Sequence, residues 1–325
     1  MANLARYAWG VLVYNLAVIA WGAYVRATGS GAGCGAHWPL CNGEVVLRPQ
    51  SVETLVEFSH RATSGLALVS VVVMFVWARR VSVPGAPVRL GAALSLAFML
   101  AEAALGAGLV LFGLVARDAS AARAFAVAAH LLNTFLLLAA LTLTVHWASG
   151  GRRLQAGGQA GTWRLALGAA ALLAVSVAGA VTALGDTLFP AGSLAEGLQA
   201  DLSAASHFLI RLRTIHPVLA VFVAVPLILG GRRLAGSGPR ATALSRALTW
   251  LLGLQLLAGA INVALLAPVW LQLAHLLLAD VAWVTYVFLG ADALAAAEAG
   301  AAVATQPSPV GPPAAAAVSA SSRRG

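Results

Sequence analysis

Four histidines, His60, His130, His216 and His275, lie within long apolar runs of this 325-residue chain. A neutral imidazole is a metal ligand, and two imidazoles facing each other across a helical bundle can hold a haem iron from both sides. Around His60 the sequence reads E57-F-S-H60-R61, which puts a carboxylate one helical turn before the imidazole on the same face. Around His216 it reads R213-T-I-H216-P217, with arginine where the first motif has glutamate. A carboxylate beside an iron ligand can move protons as a general acid or base, whereas an arginine there can pair with a haem propionate. Glu57 also has a simpler role open to it, an ion pair with Arg61 at i+4 that closes the start of its helix.

The elements that must position these groups are membrane helices. The composition is 60% hydrophobic and 10% charged, against about 25% charged in an ordinary soluble domain, and the mean hydropathy is +0.87. Eight apolar runs, near 8–25, 58–78, 90–112, 124–147, 164–184, 207–229, 245–266 and 269–290, have the length that crosses a bilayer as helix. A polar loop over 185–206 separates the fifth from the sixth, and an Ala/Pro/Ser-rich tail over 291–325 reads as disordered. All basic residues are arginine. Thirteen of the twenty, including Arg6, Arg79, Arg80, Arg89, Arg152 and Arg153, fall on one side if both termini are cytoplasmic, as the positive-inside rule requires. Topology thus accounts for the +9 net charge, and no basic cluster points to nucleic acid. A plasma-membrane location with the lipid bilayer as solvent follows.

The chain repeats itself. G22-A-Y-V, H60, E102-A-A-L-G106 and H130-L-L in the first half recur as G179-A-V-T, H216, Q255-L-L-A-G259 and H275-L-L, at offsets of 157, 156, 153 and 145 residues. The expected architecture is all-α: two four-helix bundles, units 1–150 and 151–290, related by a pseudo-twofold axis along the membrane normal. Each unit then carries one histidine on its second span and one on its fourth, all near the outer face. That repetition favours iron ligation over isolated interhelical hydrogen bonds. His37, His146 and His207 lack such partners and read as structural. Glu102 has the neutral Gln255 as its repeat counterpart, which points to hydrogen bonding rather than catalysis. Cys34 and Cys41 lie in the external loop after the first span, where a disulfide can form.

Taken together, G22-A-Y-V-R26-A-T-G-S-G31, W38-P-L-C41-N-G, E57-x-x-H60-R61, R211-L-R213-T-I-H216-P217 and the late His275 resemble the haem A synthase family. The resemblance covers about residues 5–290. It implies oxidation of a methyl group of haem O to a formyl group, giving haem A for haem-copper oxidases, by two successive hydroxylations and loss of water from the gem-diol. By resemblance, His60 and His130 embrace substrate haem O, Glu57 is the catalytic carboxylate, His216 and His275 ligate a resident haem b, and Arg61 and Arg213 support the sites or their propionates. Cys34 and Cys41 match the family's external disulfide. Partners implied are the farnesyltransferase that makes haem O and an unidentified electron-transfer protein. The loop departs from the family's common Cys-Pro-Asp-Trp-Pro in reading C34-G-A-H37-W38-P, and the chain has only these two cysteines. The alternative from another class is a two-haem, bis-histidine membrane electron carrier, which leaves Glu57 unexplained.

Overall fold

The computed structural model describes residues 1–44, 51–154, 159–234 and 238–304. All regular elements among them are helical: α1 (Ala2–Ala27), a 3-10 turn (Ser30–Ala32), α2 (Val52–Val81), α3 (Pro87–Leu111), α4 (Ala121–Ala148), α5 (Gln159–Leu188), α6 (Leu194–Leu202), α7 (Phe208–Leu212), α8 (Ile215–Leu234), α9 (Pro239–Ala264) and α10 (Val269–Ala304). Eight stretches are long and apolar enough to cross a membrane, α7 and α8 together forming the sixth, and they coincide with the eight expected spans. The protein is thus an all-α, multi-pass membrane protein.

The helices start earlier than hydropathy indicates because polar caps set their boundaries. Ser51 accepts the backbone N–H of Thr54 at 3.2 Å ahead of α2, and Ser120 accepts that of Arg123 at 3.1 Å ahead of α4. The stretch over 185–206, expected as a loop, contains a helix. α5 continues to Leu188, and α6 begins where Ser193 accepts the N–H of Glu196 while the Glu196 carboxylate accepts that of Gly192, close to a capping box. α10 runs on to Ala304, so the first part of the expected tail is helical. Residues 305–325 lie outside the described residues.

Each half closes a ring of four helices. α1 packs on α2 and α4, and α3 on α2 and α4; α8 packs on α5 and α9, and α10 on α9 and α5. Leu12, Val71, Met74, Leu138 and Leu141 are buried between helices, while Leu66, Val69, Phe222 and Leu257 point outward, as lipid-facing side chains do. The halves meet mainly along α4, α5 and α10, with α1 also touching α10. There Trp283 donates its indole N–H to the Phe135 carbonyl at 2.7 Å, and the two rings lie 5.8 Å apart.

Nearer the outer end, Arg26 of α1 donates to the Ala183 carbonyl at 2.6 Å, to Thr187 Oγ1 at 2.8 Å and to Gln272 Oε1 at 3.0 Å. Ala183 stands 157 residues after Arg26, the offset that relates Gly22 to Gly179. Equivalent helix ends of the two halves are therefore fastened to each other.

Removing the Trp283 ring should open a cavity and cost about 3–5 kcal/mol. Trp283→Phe, which loses the indole hydrogen bond but retains most of the aromatic packing, should cost about 1 kcal/mol. Unfolding of the detergent-solubilised variants should rank wild type above Trp283→Phe above Trp283→Ala.

Candidate functional site

Each of the four histidines rests against a glycine on a neighbouring helix of its own half. A Cβ built on Gly22 of α1 would stand 2.8 Å from Cε1 of His60 on α2, and one on Gly106 of α3 would stand 3.9 Å from Cε1 of His130 on α4. In the second half the distances are 2.9 Å from Gly179 to His216 Cε1 and 3.2 Å from Gly259 to His275 Cε1. In every pair it is Cε1, the carbon between the two ring nitrogens, that meets the glycine. These are the glycines that mark the repeat in the sequence, and their lack of a side chain lets an imidazole lie flat against a facing helix.

In the second half the two rings converge. The centroids of His216 and His275 are 6.2 Å apart and the ring planes perpendicular. Nδ1 of His216 lies 3.1 Å from the Val175 carbonyl. A carbonyl only accepts, so Nδ1 carries the proton and Nε2 keeps its lone pair for a ligand. Gln255 turns its amide nitrogen to Nε2 of His275 at 3.2 Å, and Nδ1 of His275 is buried without a hydrogen bond among the described residues.

In the first half Nδ1 of His60 and of His130 is buried without a hydrogen bond among the described residues. Behind His130 stands Glu102 of α3, with Oε1 3.5 Å from Nδ1. Glu102 also accepts from Asn133 Nδ2 at 2.6 Å and from Thr134 Oγ1 at 2.5 Å, the hydrogen-bonding role its position suggested.

Glu57 is 3% exposed, and both of its oxygens are engaged. Oε1 accepts from Arg61 Nε at 3.1 Å and from Arg61 Nη2, and Oε2 accepts the backbone N–H of Cys34 at 2.8 Å. Arg61 Nη1 continues to the His37 and Leu40 carbonyls at 2.6 and 2.8 Å. Thr54 adds a bond from its hydroxyl to the Gly33 carbonyl. The loop so clasped is closed by the Cys34–Cys41 disulfide, with Cα atoms 4.5 Å apart. The i+4 ion pair of Glu57 with Arg61 is therefore present, and it is one arm of a clasp between α2 and the loop that follows α1.

Arg213, in the Glu57 position of the second half, holds the other external segment. Its guanidinium pairs with Asp186 at 3.1 Å and Asp201 at 2.8 Å and donates to the Phe189 carbonyl. Equivalent positions of opposite charge thus both anchor an outer loop. The remaining histidines sit apart from the two pairs. His207 caps α7 by accepting the Leu209 N–H. His146 lies near Asp292 and the Arg152 carbonyl, and the His37 carbonyl receives Arg61. The glycine seats and the contact between Glu102 and His130 escaped the sequence reading, although the register of Gly22, Gly106, Gly179 and Gly259 with the histidines carried the signal.

Comparison with known proteins agrees with this picture. A family model described as cytochrome oxidase assembly protein, COX15-CtaA, matches residues 5–287. A Thermus thermophilus protein named protoheme IX farnesyltransferase is 54% identical over 296 residues, which is 90% of this chain and 49% of that relative. Heme A synthases of Halalkalibacterium halodurans and Alkalihalophilus pseudofirmus are 40% identical over 124 residues and 42% identical over 107. Those matches cover 38% and 32% of this chain and 41% and 34% of the relatives. The chain thus spans about half the length, or less, of these curated relatives. The resemblance to haem A synthases read from the motifs is borne out, and since the family model spans all eight helices, the chain belongs to the COX15-CtaA family of cytochrome oxidase assembly proteins.

Proposed function

We propose that the protein is a haem A synthase. Haem O, bound between His60 and His130, would be oxidised at a methyl group, and a haem b held by His216 and His275 would exchange electrons with an external partner. The observation that carries this reading is the doubled motif of two imidazoles per half, each seated on a glycine, with a glutamate beside the pair in one half only. Among the described residues no cluster of three or more His, Cys, Asp or Glu could hold a metal ion. The 6.2 Å between the His216 and His275 rings leaves room for one metal with bonds of about 2 Å on each side. Two facing imidazoles with no third protein ligand fit an iron whose remaining ligands come from a macrocycle.

Iron held in this way supplies one-electron redox chemistry. The chain supplies orientation and proton handling. The Val175 carbonyl fixes the His216 tautomer, and the glycine seats set how far each ring projects. Glu57 is held by Arg61 and by the Cys34 N–H, so a change in its protonation would weaken its hold on the disulfide-closed loop. Haem O would come from a farnesyltransferase, a partner suggested by the relative of that name. The arginine distribution supports a plasma-membrane protein with both termini cytoplasmic.

The full engagement of Glu57 also favours the second reading, a two-haem electron carrier in which Glu57 only ties down the loop. Expression beside a source of haem O, followed by extraction and chromatography, separates the two. Wild type should yield haem A. Glu57→Ala should retain haem yet lose about 100-fold or more of the conversion, accumulating haem O or a hydroxylated intermediate. Unmodified haem in both proteins would establish the carrier.

The seats give a second test. Gly22→Ala places a methyl group against His60 and should weaken haem retention in the first half by about tenfold or more, whereas Gly106→Ala, with 3.9 Å of space, should leave it unchanged. Equal effects in haem-binding titrations would contradict the seat geometry.

A further inference from the structure

Glu102 and Gln255 occupy the same place in the two halves, one turn before the glycine that seats the fourth-span histidine. They stand at different ring nitrogens, Glu102 at Nδ1 of His130 and Gln255 at Nε2 of His275. The two side chains have nearly the same shape and differ in chemistry. A carboxylate only accepts hydrogen bonds, while an amide presents both a donor and an acceptor and carries no charge.

Glu102 is held in place from two sides. Asn133 donates to it at 2.6 Å while also donating to the Phe98 carbonyl at 2.9 Å, and the Thr134 hydroxyl lies 2.5 Å away. Both donors come from α4, the helix that carries His130. The carboxylate is thereby fixed with Oε1 toward Nδ1, and that nitrogen is buried without a hydrogen bond among the described residues. The 3.5 Å separation is at the outer edge of hydrogen bonding. A few tenths of an ångström close it, and such contacts tighten when a site is loaded.

We propose that Glu102 is a positioning residue that accepts a hydrogen bond from Nδ1 of His130, turns Nε2 toward the iron and makes the first-half iron site more electron-donating than the second, where Nδ1 of His275 has no hydrogen bond among the described residues. This rests on the proposal that the two histidine pairs hold haem. The physical basis is that a carboxylate behind a ligating imidazole fixes its tautomer and raises its basicity, and removing such a partner changes affinity or activity by about 10–100-fold. A more basic ligand stabilises ferric over ferrous iron. The first-half haem is therefore the harder of the two to reduce, so reducing power must be delivered to it from a partner rather than stored there.

The test is an optical redox titration of the full-length protein loaded with haem O, the two signals being assigned by the one lost in His130→Ala and the one lost in His275→Ala. Glu102→Gln should raise the midpoint of the first-half haem by an amount equivalent to about a tenfold change in its ferric-to-ferrous ratio, about 59 mV for one electron. The second haem should stay where it was. Glu102→Asp, which keeps the carboxylate, should restore much of the first midpoint. A Glu102→Gln protein that binds haem with an unmoved midpoint overturns the proposal, and a lowered unfolding temperature without a potential shift would mark Glu102 as a structural pin between α3 and α4. If Glu102→Gln does not accumulate, Glu102→Ala is titrated in its place, and an unmoved first midpoint overturns the proposal. Retention of both haem signals in His130→Ala and His275→Ala would instead remove the ligand assignment on which the proposal stands.

Discussion

An imidazole cannot lie between two close-packed membrane helices unless the facing helix gives up a side chain. That constraint organises this protein. Gly22, Gly106, Gly179 and Gly259 each face one histidine ring, Gly22 and Gly179 so closely that an added methyl group would collide with it, Gly259 tightly, and Gly106 at ordinary contact distance. Bilayer-spanning helices gain no hydrophobic free energy from meeting each other, so contacts between them depend on small residues and on satisfied polar groups. Here the small residues are spent on seating imidazoles. The packing between halves falls instead to large side chains such as Trp283 and Phe135 and to the half-buried guanidinium of Arg26.

Duplication explains both the likeness and the difference between the halves. Glycine seats and histidines recur at the offsets of the sequence repeat. The surroundings diverge in charge: Glu57 against Arg213, Glu102 against Gln255. Both members of the first contrast anchor an outer segment, one by a carboxylate that grips Arg61 and Cys34, the other by a guanidinium that grips Asp186 and Asp201. The repeat position itself carries a carboxylate in one half and, in the other, a guanidinium that stays charged. The chemical asymmetry is thus carried by positions whose mechanical duty is shared.

Much of this was legible in the sequence because membrane helices announce themselves by length and hydropathy, and because the repeat placed His60 opposite His216 and His130 opposite His275. The eight spans and the Cys34–Cys41 disulfide follow from those signals and from the family resemblance. What was not legible depends on side-chain direction. The short α6 arises from local capping by Ser193, which hydropathy does not register. The full enclosure of Glu57 depends on where the Cys34 backbone falls, which no spacing rule gives. The approach of Glu102 to His130 needs the packing of α3 against α4, and the neutrality of Gln255 had drawn attention away from its acidic counterpart.

The most direct measurement is an experimental structure of the haem-loaded protein with anomalous diffraction collected at the iron edge. The account predicts one iron between His216 and His275 and, after loading with haem O, a second between His60 and His130, with each ring still resting on its glycine. Iron elsewhere, or bound by residues outside these four, would contradict it.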